Sequence, residues 1–333
     1  MRLALATDAW KPQTNGVVRT LETVVGELVR EGHEVRVVHP GDGFRTVPCP
    51  TYPEIRLALF PRRRIARVLD EFRPEAVHVA TEGPLGRAAR AELLSRSLPF
   101  TTSFHTRFPE YVEERFRFPA AWSYRALRRF HAPATRVMVA TGSVEDDLRA
   151  RGFANTARWS RGVDTALFRP QEVDLGLPRP IHLSVGRVAP EKNLEAFLEL
   201  GLPGTKLVVG DGPSRQRLEE RFPDAVFVGV KRGEELARHY AAADVFVFPS
   251  RTDTFGLVQL EALACGVPVA AFPVPGPLDV IGGHPEVGAL DEDLARAIER
   301  ARDLSREACR AFALGHSWAE CAALFRRLLA PLA

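Results

Sequence analysis

Two carboxylates eight residues apart, Asp253 and Glu261, bracket the segment of this chain best equipped for chemistry. Between them Thr254, Phe255, Gly256 and Leu257 lead into good helix formers, Leu257–Ala264, which Gly266 stops with Pro268 just beyond. The apolar run Val245–Phe248 before them reads as a buried parallel strand. Strand, loop, helix and strand make half of a doubly wound unit, so the loop lies at a strand's carboxyl end with a helix amino-terminus behind it. Eight residues of helix cover roughly 12 Å, about the reach of a nucleotide sugar from hexose to ribose. Backbone N–H groups at Thr254, Phe255 and Gly256 would favour an anion there. The competing reading is acid placed for the helix dipole, followed by a solvated glutamate.

Further cationic and glycine-bearing loops follow other predicted strands. Gly186-Arg187-Val188-Ala189-Pro190-Glu191-Lys192-Asn193 leaves one strand and opens a helix. Arg187, through its planar fork, and Lys192, as a point charge, would neutralise a diphosphate and stabilise it as a leaving group. A helix-start ion pair with Glu191 is the bland alternative. Gly210-Asp211-Gly212-Pro213 starts like a dinucleotide fingerprint, but Arg215 stands where that fingerprint needs a small residue. Gly16, in Lys11–Val17, lets backbone approach a phosphate, or is a plain loop glycine. His105, in Ser103-Phe104-His105-Thr106-Arg107, could bond a sugar hydroxyl or be a satisfied structural histidine. Arg107 could read an anionic group or form a surface ion pair, and Arg107 or Arg251 could meet a uronate carboxylate.

Several chemistries lose their support. HExxH and clustered His or Cys with ligand spacing are absent, and Asp291-Glu292-Asp293 is better explained as acid in a helix's first turn. GxSxG and GxxxxGK[ST] are also absent, which removes the main case for hydrolase and P-loop chemistry.

At 333 residues with ordinary hydrophobic and charged fractions, the chain can form two domains with sizeable cores. Cys49, Cys265, Cys309 and Cys321 form no CxxC pair and suggest reduced thiols in a cytoplasmic protein. Met1–Thr7 reaches Asp8 too soon for a signal peptide, and no run approaches a membrane span. Charge is uneven, about +7 over residues 1–160 and about −4 over the rest. The excess is largely arginine, including Arg62–Arg64, Arg125, Arg128 and Arg129. It could rest on an anionic membrane surface, or merely decorate solvated faces. Nucleic acid fits poorly, because aromatics are not interleaved with the basic clusters.

The elements that must position these groups alternate. In the first half, strands are expected at Leu3–Thr7, Val35–Val38, Ala76–Val79, Pro99–Ser103 and Arg136–Ala140. Helices are expected from the Gly16 loop to about Arg30, and at Arg63–Phe72, Pro84–Ser95 and Ser143–Arg151. Phe168–Pro180 is proline-rich without helical period and reads as a linker. The second half restarts with strands at His182–Val185, Lys206–Val209 and Val226–Val228 and helices at Glu191–Leu200, Ser214–Phe222 and Glu234–Ala242. Late helices are expected at Asp291–Arg302 and Trp318–Leu329. The expectation is an α/β chain of two Rossmann-like doubly wound domains facing a cleft, residues 1–167 with a returning helix from 317–333, and residues 168–316.

With these motifs in order, the chain resembles the retaining glycosyltransferases of family 4, with the GT-B fold. The shared features are Asn15-Gly16, Ser103–Thr106, Trp159-Ser160-Arg161-Gly162-Val163-Asp164, Gly186-Arg187 with Lys192-Asn193, Gly210–Pro213 and Asp253–Glu261, covering nearly the whole length. It is most similar to the bacterial α-mannosyltransferase and glycolipid-synthase branch. The resemblance implies that Arg187 and Lys192 hold the diphosphate of the sugar donor, helped by the Asn15-Gly16 loop. It also implies that Glu261 holds the ribose, and that Asp253 with Thr254, Phe255, Gly256 and Leu257 holds the hexose. Gly186, Gly210 and Gly212 would shape the nucleotide loops, with the base against Val230 and Lys231. His105 would meet the sugar near the reacting carbon, and Arg107 and Tyr111 would touch sugar or acceptor. The family usually carries Glu where this chain has Asp253, a carboxylate one methylene shorter.

The expected reaction moves a hexosyl or uronosyl unit from a UDP-sugar or GDP-mannose, with retention, to an acceptor such as diacylglycerol, without metal or further cofactor. The protein would be a monomer in the cytoplasm or peripheral on the inner face of the membrane. The rivals are a catalytically silent sugar-nucleotide binder and a nicotinamide-dependent oxidoreductase.

Overall fold

The computed structural model describes residues 1–13, 15–49, 55–105, 109, 117, 119–253 and 255–332. They divide into two compact units, Met1–Ser160 with Trp318–Ala333, and Arg161–Ser317. The division thus falls at Arg161 rather than Phe168, and the chain returns at Trp318.

In the first unit the strands are β1 (Arg2–Ala6), β2 (Glu34–Val38), β3 (Thr46–Pro48), β4 (Arg56–Ala58), β5 (Ala76–Val79), β6 (Thr101–Phe104), β7 (Arg136–Val139) and β8 (Thr156–Arg158). All but β3 and β4, which pair as a small antiparallel ladder, form one parallel sheet in the order β2-β1-β5-β6-β7-β8. Strands β5 and β6 are buried along their whole length, as parallel strands covered on both faces must be. The Gly16–Arg30 helix begins at Asn15, whose Oδ1 accepts from Val17 N and Val18 N at 3.0 Å each. The Trp318–Leu328 helix packs against it, and the chain's end pairs with Ala76 through Pro331.

Strand β6 departs from a plain apolar core strand. Thr101, Thr102 and Ser103 are all buried, and two buried imidazoles satisfy their hydroxyls. His78 Nδ1 lies 2.9 Å from Thr101 Oγ1 and its Nε2 2.8 Å from Ser103 Oγ, while His131 Nδ1 meets Thr102 Oγ1 at 2.8 Å. Alternation along β6 sends Thr102 to the opposite face, which is why one histidine serves each face. Burial, reinforced by His131, pushes the His78 pKa down to about 3. An unfolded histidine titrates near 6.5, so this contribution to stability is complete above that pH and is lost as pH falls toward 3. His78→Gln is therefore expected to flatten the acid limb of unfolding free energy against pH by about 1 kcal/mol per unit between about pH 6 and 4. Urea titrations read it, and an unchanged limb would refute the assignment.

The second unit contains β9 (Ile181–Val185), β10 (Thr205–Val209), β11 (Val226–Phe227), β12 (Val245–Phe248), β13 (Val269–Ala271) and β14 (Gly288–Leu290), all parallel, in the order β11-β10-β9-β12-β13-β14. The order reverses between β9 and β12, the place where open α/β sheets take their ligands. Helices Gly233–Ala242, Leu257–Ala264 and Arg306–Leu314 bury Tyr240, Leu260, Leu263 and Ala313 in one core cluster; Leu194–Leu198, Arg215–Arg221 and Leu294–Arg302 bury Phe197, Leu218 and Ile298 in another.

Three sequence expectations change here. Glu191–Leu200 is not one helix: a short 3-10 turn, Pro190–Lys192, precedes Leu194–Leu198, because Asn193 is left-handed (φ 52°) and donates from Nδ2 to Pro249 O at 3.1 Å. The helix expected from Asp291 begins at Leu294, with Asp293 as its cap and β14 before it. Helices Ala120–His131, Pro275–Ile281 and Arg306–Leu314 were not anticipated.

Candidate functional site

In the second unit, the loops leaving β9 and β12 flank the switch point. From the first comes Lys192 and from the second Asp253, and the two meet: Lys192 Nζ donates to Asp253 Oδ1 at 2.6 Å and Oδ2 at 2.7 Å. Both side chains are partly buried, 28% and 22% exposed, so the pair is better shielded from water than a surface salt bridge. The bland partner expected for Lys192, Glu191, is not the one it takes. Glu191 instead accepts through its carbonyl from Ser250 Oγ and Thr252 Oγ1, which stitches the two loops together.

Arg187 is exposed, and among the described residues it pairs with no carboxylate. A guanidinium at the switch point with no carboxylate partner among the described residues is available to an anion from solution. Its loop runs tightly beside the next. Val188 N donates to Asp211 O and Ser214 N to Val188 O. A Cβ on Gly210 (φ 144°) would stand 1.8 Å from Gly186 O, and one on Gly212 2.4 Å from Val188 O. Those two glycines are needed for close backbone approach, whatever they do for a ligand.

The helix behind Asp253 begins at Leu257, after Gly256 in the left-handed region (φ 75°). Asp253 therefore lies in the loop, and the carboxylate spacing is not a helical one. Glu261 is not solvated: it is 2% exposed, and Tyr240 Oη donates to its Oε2 at 2.8 Å. Phe255 is half-buried, and its carbonyl accepts from Gln259 Nε2 at 2.8 Å. Val230 is 57% exposed just after Gly229, and Lys231 pairs with Glu235. Arg251 lies 3.8 Å from the Phe272 ring centroid and bonds Glu292.

In the first unit, Gly16 has open space where a Cβ would go, while Asn15 spends its oxygen on the helix cap. His105 follows β6 directly, is half-buried, and sets its ring edge-to-face with Trp159 at 5.8 Å and 68°. Asp8, at the end of β1, was overlooked. Its carboxylate accepts from Thr81 Oγ1, Leu85 N and Gly86 N, capping the Pro84–Ser95 helix from another strand. Burial raises its pKa against those three bonds. No local sequence signal marks such a cap, because Asp8 and Leu85 are 77 positions apart. Thr254, Arg107 and Tyr111 lie outside the described residues, as does Thr106.

Residues 14–167 match the family model described as Glycosyltransferase Family 4, and residues 179–304 the one described as Glycosyl transferases group 1. A GDP-mannose-dependent alpha-mannosyltransferase of Mycobacterium tuberculosis is 33% identical over 96% of this chain and 93% of its own length. The chain belongs to glycosyltransferase family 4. An alpha-monoglucosyldiacylglycerol synthase of Streptococcus pneumoniae is 27% identical, matching 90% of this glycosyltransferase and 78% of its own length. Among solved structures, a sucrose-phosphate synthase from Thermosynechococcus elongatus matches 98% of both chains with a TM-score of 0.76 at 22% identity. The glycosyltransferase thus has the GT-B fold, two Rossmann-like α/β domains. The oxidoreductase rival falls with that membership. Among the described residues, no helix is long and apolar enough to cross a membrane, and no group of three or more His, Cys, Asp or Glu is placed to hold a metal ion.

Proposed function

We propose that this glycosyltransferase moves a hexosyl unit from a nucleotide sugar to a membrane lipid with retention at the anomeric carbon. The carrying observation is the Lys192–Asp253 pair, together with an exposed Arg187 that pairs with no carboxylate among the described residues, all on loops at the β9/β12 switch point. Arg187 and Lys192 neutralise the diphosphate, and Lys192 bridges it to Asp253, which accepts from hexose hydroxyls. Glu261, steadied by Tyr240, accepts from the ribose, while Val230 and Lys231 flank the base. Gly186, Gly210 and Gly212 keep backbone close to the phosphates, with Gly256 and Leu257 opening the helix behind. In the first unit the Gly16 amide adds a further phosphate contact, and His105 meets the sugar near its reacting carbon.

Chemistry then needs little covalent help from the protein. The acceptor hydroxyl attacks the anomeric carbon on the face from which the diphosphate leaves. Its proton passes to a departing phosphate oxygen as the old C–O bond breaks and the new one forms. Positioning and stabilisation of the leaving charge supply the rate. No metal is required by this scheme, and added chelator should leave the rate within about twofold.

The mannosyltransferase name of the relative favours GDP-mannose as donor. Arg251, already engaged by Glu292 and Phe272, supports a neutral hexose over a uronate. The diacylglycerol synthase relative and the first unit's surface favour a lipid acceptor. Phe60 is 94% exposed beside the exposed Arg62–Arg64, and Trp122 is 62% exposed on the helix that carries Arg125 and Arg129. Aromatic side chains among arginines suit an anionic interface. Neutral and anionic vesicles should differ in protein bound, and Phe60→Ser should cut the bound fraction at least threefold, since a buried aromatic contributes about 2 kcal/mol. Equal binding of wild type and variant would remove the membrane half of the proposal. The reaction itself is tested with GDP-mannose and UDP-hexoses on a total lipid extract, read by mass spectrometry and anomeric coupling. A hexosylated lipid of retained configuration is expected; donor binding with neither transfer nor hydrolysis would favour the silent binder.

A further inference from the structure

We infer that Trp159 is the positioning residue for His105, and that the carboxyl-terminal helix fixes Trp159 in turn; the inference rests on the reading that His105 meets the reacting sugar. Trp159 continues from β8 by donating its backbone N–H to Val139 O at 2.8 Å. Its indole is completely buried, although indole N–H groups need a partner when they leave water. The partner comes from a distant part of the chain: Nε1 donates to Cys321 O, 3.2 Å away on the Trp318–Leu328 helix. Phe325 of the same helix sets its ring 4.9 Å from the indole, and Cys321 Sγ donates to Ser160 O at 3.1 Å. His78, pinned by Thr101 and Ser103, approaches the indole edge-on at 6.4 Å. The indole is thereby held by four elements: β8, the last helix, β5 and, through the hydroxyls, β6.

Against this fixed plate stands His105, half-buried at the end of β6, with its ring edge-to-face to the indole at 68°. The indole is a ring contact of His105 among the described residues, and its edge-to-face packing bears on the imidazole's tilt. A histidine that touches a sugar only in the transition state loses rate when its ring drifts, because misplacement of about 1 Å can cost on the order of 10²-fold. The returning helix then has a catalytic consequence as well as a structural one.

The test is a double-mutant cycle on the full-length enzyme, with kcat, KM for the sugar donor and Tm measured for each member. Trp159→Leu should lower kcat about 30-fold and move that KM less than about threefold, and Trp159→Phe, which restores a ring, should recover most of kcat. In a His105→Ala background, Trp159→Leu should cost no more than a further twofold or so, because its effect passes through the absent imidazole. Losses that multiply in the double variant, with His105→Ala itself strongly impaired, would overturn the inference and leave the function proposal standing. An unimpaired His105→Ala enzyme would overturn the placement of His105 and the inference together. If Trp159→Leu does not fold, the cycle is run with Trp159→Phe, whose smaller loss must likewise vanish beside His105→Ala.

Discussion

Arg187→Ala should lower kcat by roughly 10²–10³-fold, the usual cost of removing one group that stabilises charge developing on a leaving atom. The same substitution should leave Tm within about 1 °C, because surface changes away from internal partners rarely matter by more than about 0.5 kcal/mol. The rate half follows from the proposed phosphate contact, and the stability half from the structure. Arg187 is exposed and pairs with no carboxylate among the described residues, so the folded state gives up little on its loss. Lys192→Ala is a different experiment. It strips Asp253 of a counter-ion bound through both oxygens, and should lower stability as well as rate. A variant series in which Arg187→Ala retained full turnover, or in which Arg187→Ala and Lys192→Ala lost equal stability, would contradict the division of labour proposed here.

Gly210→Ala carries the largest expected structural effect. Alanine at φ 144° is strained by about 1–3 kcal/mol. Its methyl would also sit 1.8 Å from the Gly186 carbonyl oxygen, and overpacking of that kind adds about 1–3 kcal/mol. The β9 and β10 loops would have to separate, taking Arg187 with them. We expect a loss of about 4 kcal/mol in urea-unfolding stability together with loss of turnover. Gly16→Ala is the contrasting case, since a Cβ there meets nothing and the residue opens a helix. Its fold should be unharmed or slightly stabilised, by up to about 1 kcal/mol. Any rise in KM for the nucleotide sugar then reports the amide's closeness to phosphate. Wild-type stability in Gly210→Ala would contradict the close apposition of the two loops at Gly210 and Gly186.

Much of the fold was legible because its signals are local. Buried runs such as Val245–Phe248 and Ala76–Val79 announce parallel strands, and Gly266 with Pro268 ends a helix within a few residues. What the sequence hid was mostly long-range. Asp8 caps a helix 77 positions away, Tyr240 finds Glu261, and Trp159 finds a carbonyl 162 positions on. The pairing of Lys192 with Asp253 was hidden for the same reason, since they lie 61 positions apart and only the strand order makes their loops neighbours. The broken helix at Asn193 was a subtler failure. Its composition favours helix, and a side-chain bond to Pro249 overrides it.

The shorter carboxylate at 253 gains a meaning from this pairing. Aspartate accepts both bonds of the Lys192 ammonium within 2.7 Å, so anything bound by Asp253 is coupled to the cation proposed to meet the phosphate. Sugar recognition and leaving-group stabilisation would then be one network, in which single losses are not additive.

The most direct measurement of the central claim is calorimetric titration of GDP and UDP into wild-type and Arg187→Ala protein. Saturable binding of at least one nucleotide by the wild type is expected, with Kd raised at least tenfold, about 1.4 kcal/mol, in the variant. No binding of either nucleotide, or equal affinity in the two proteins, would contradict it.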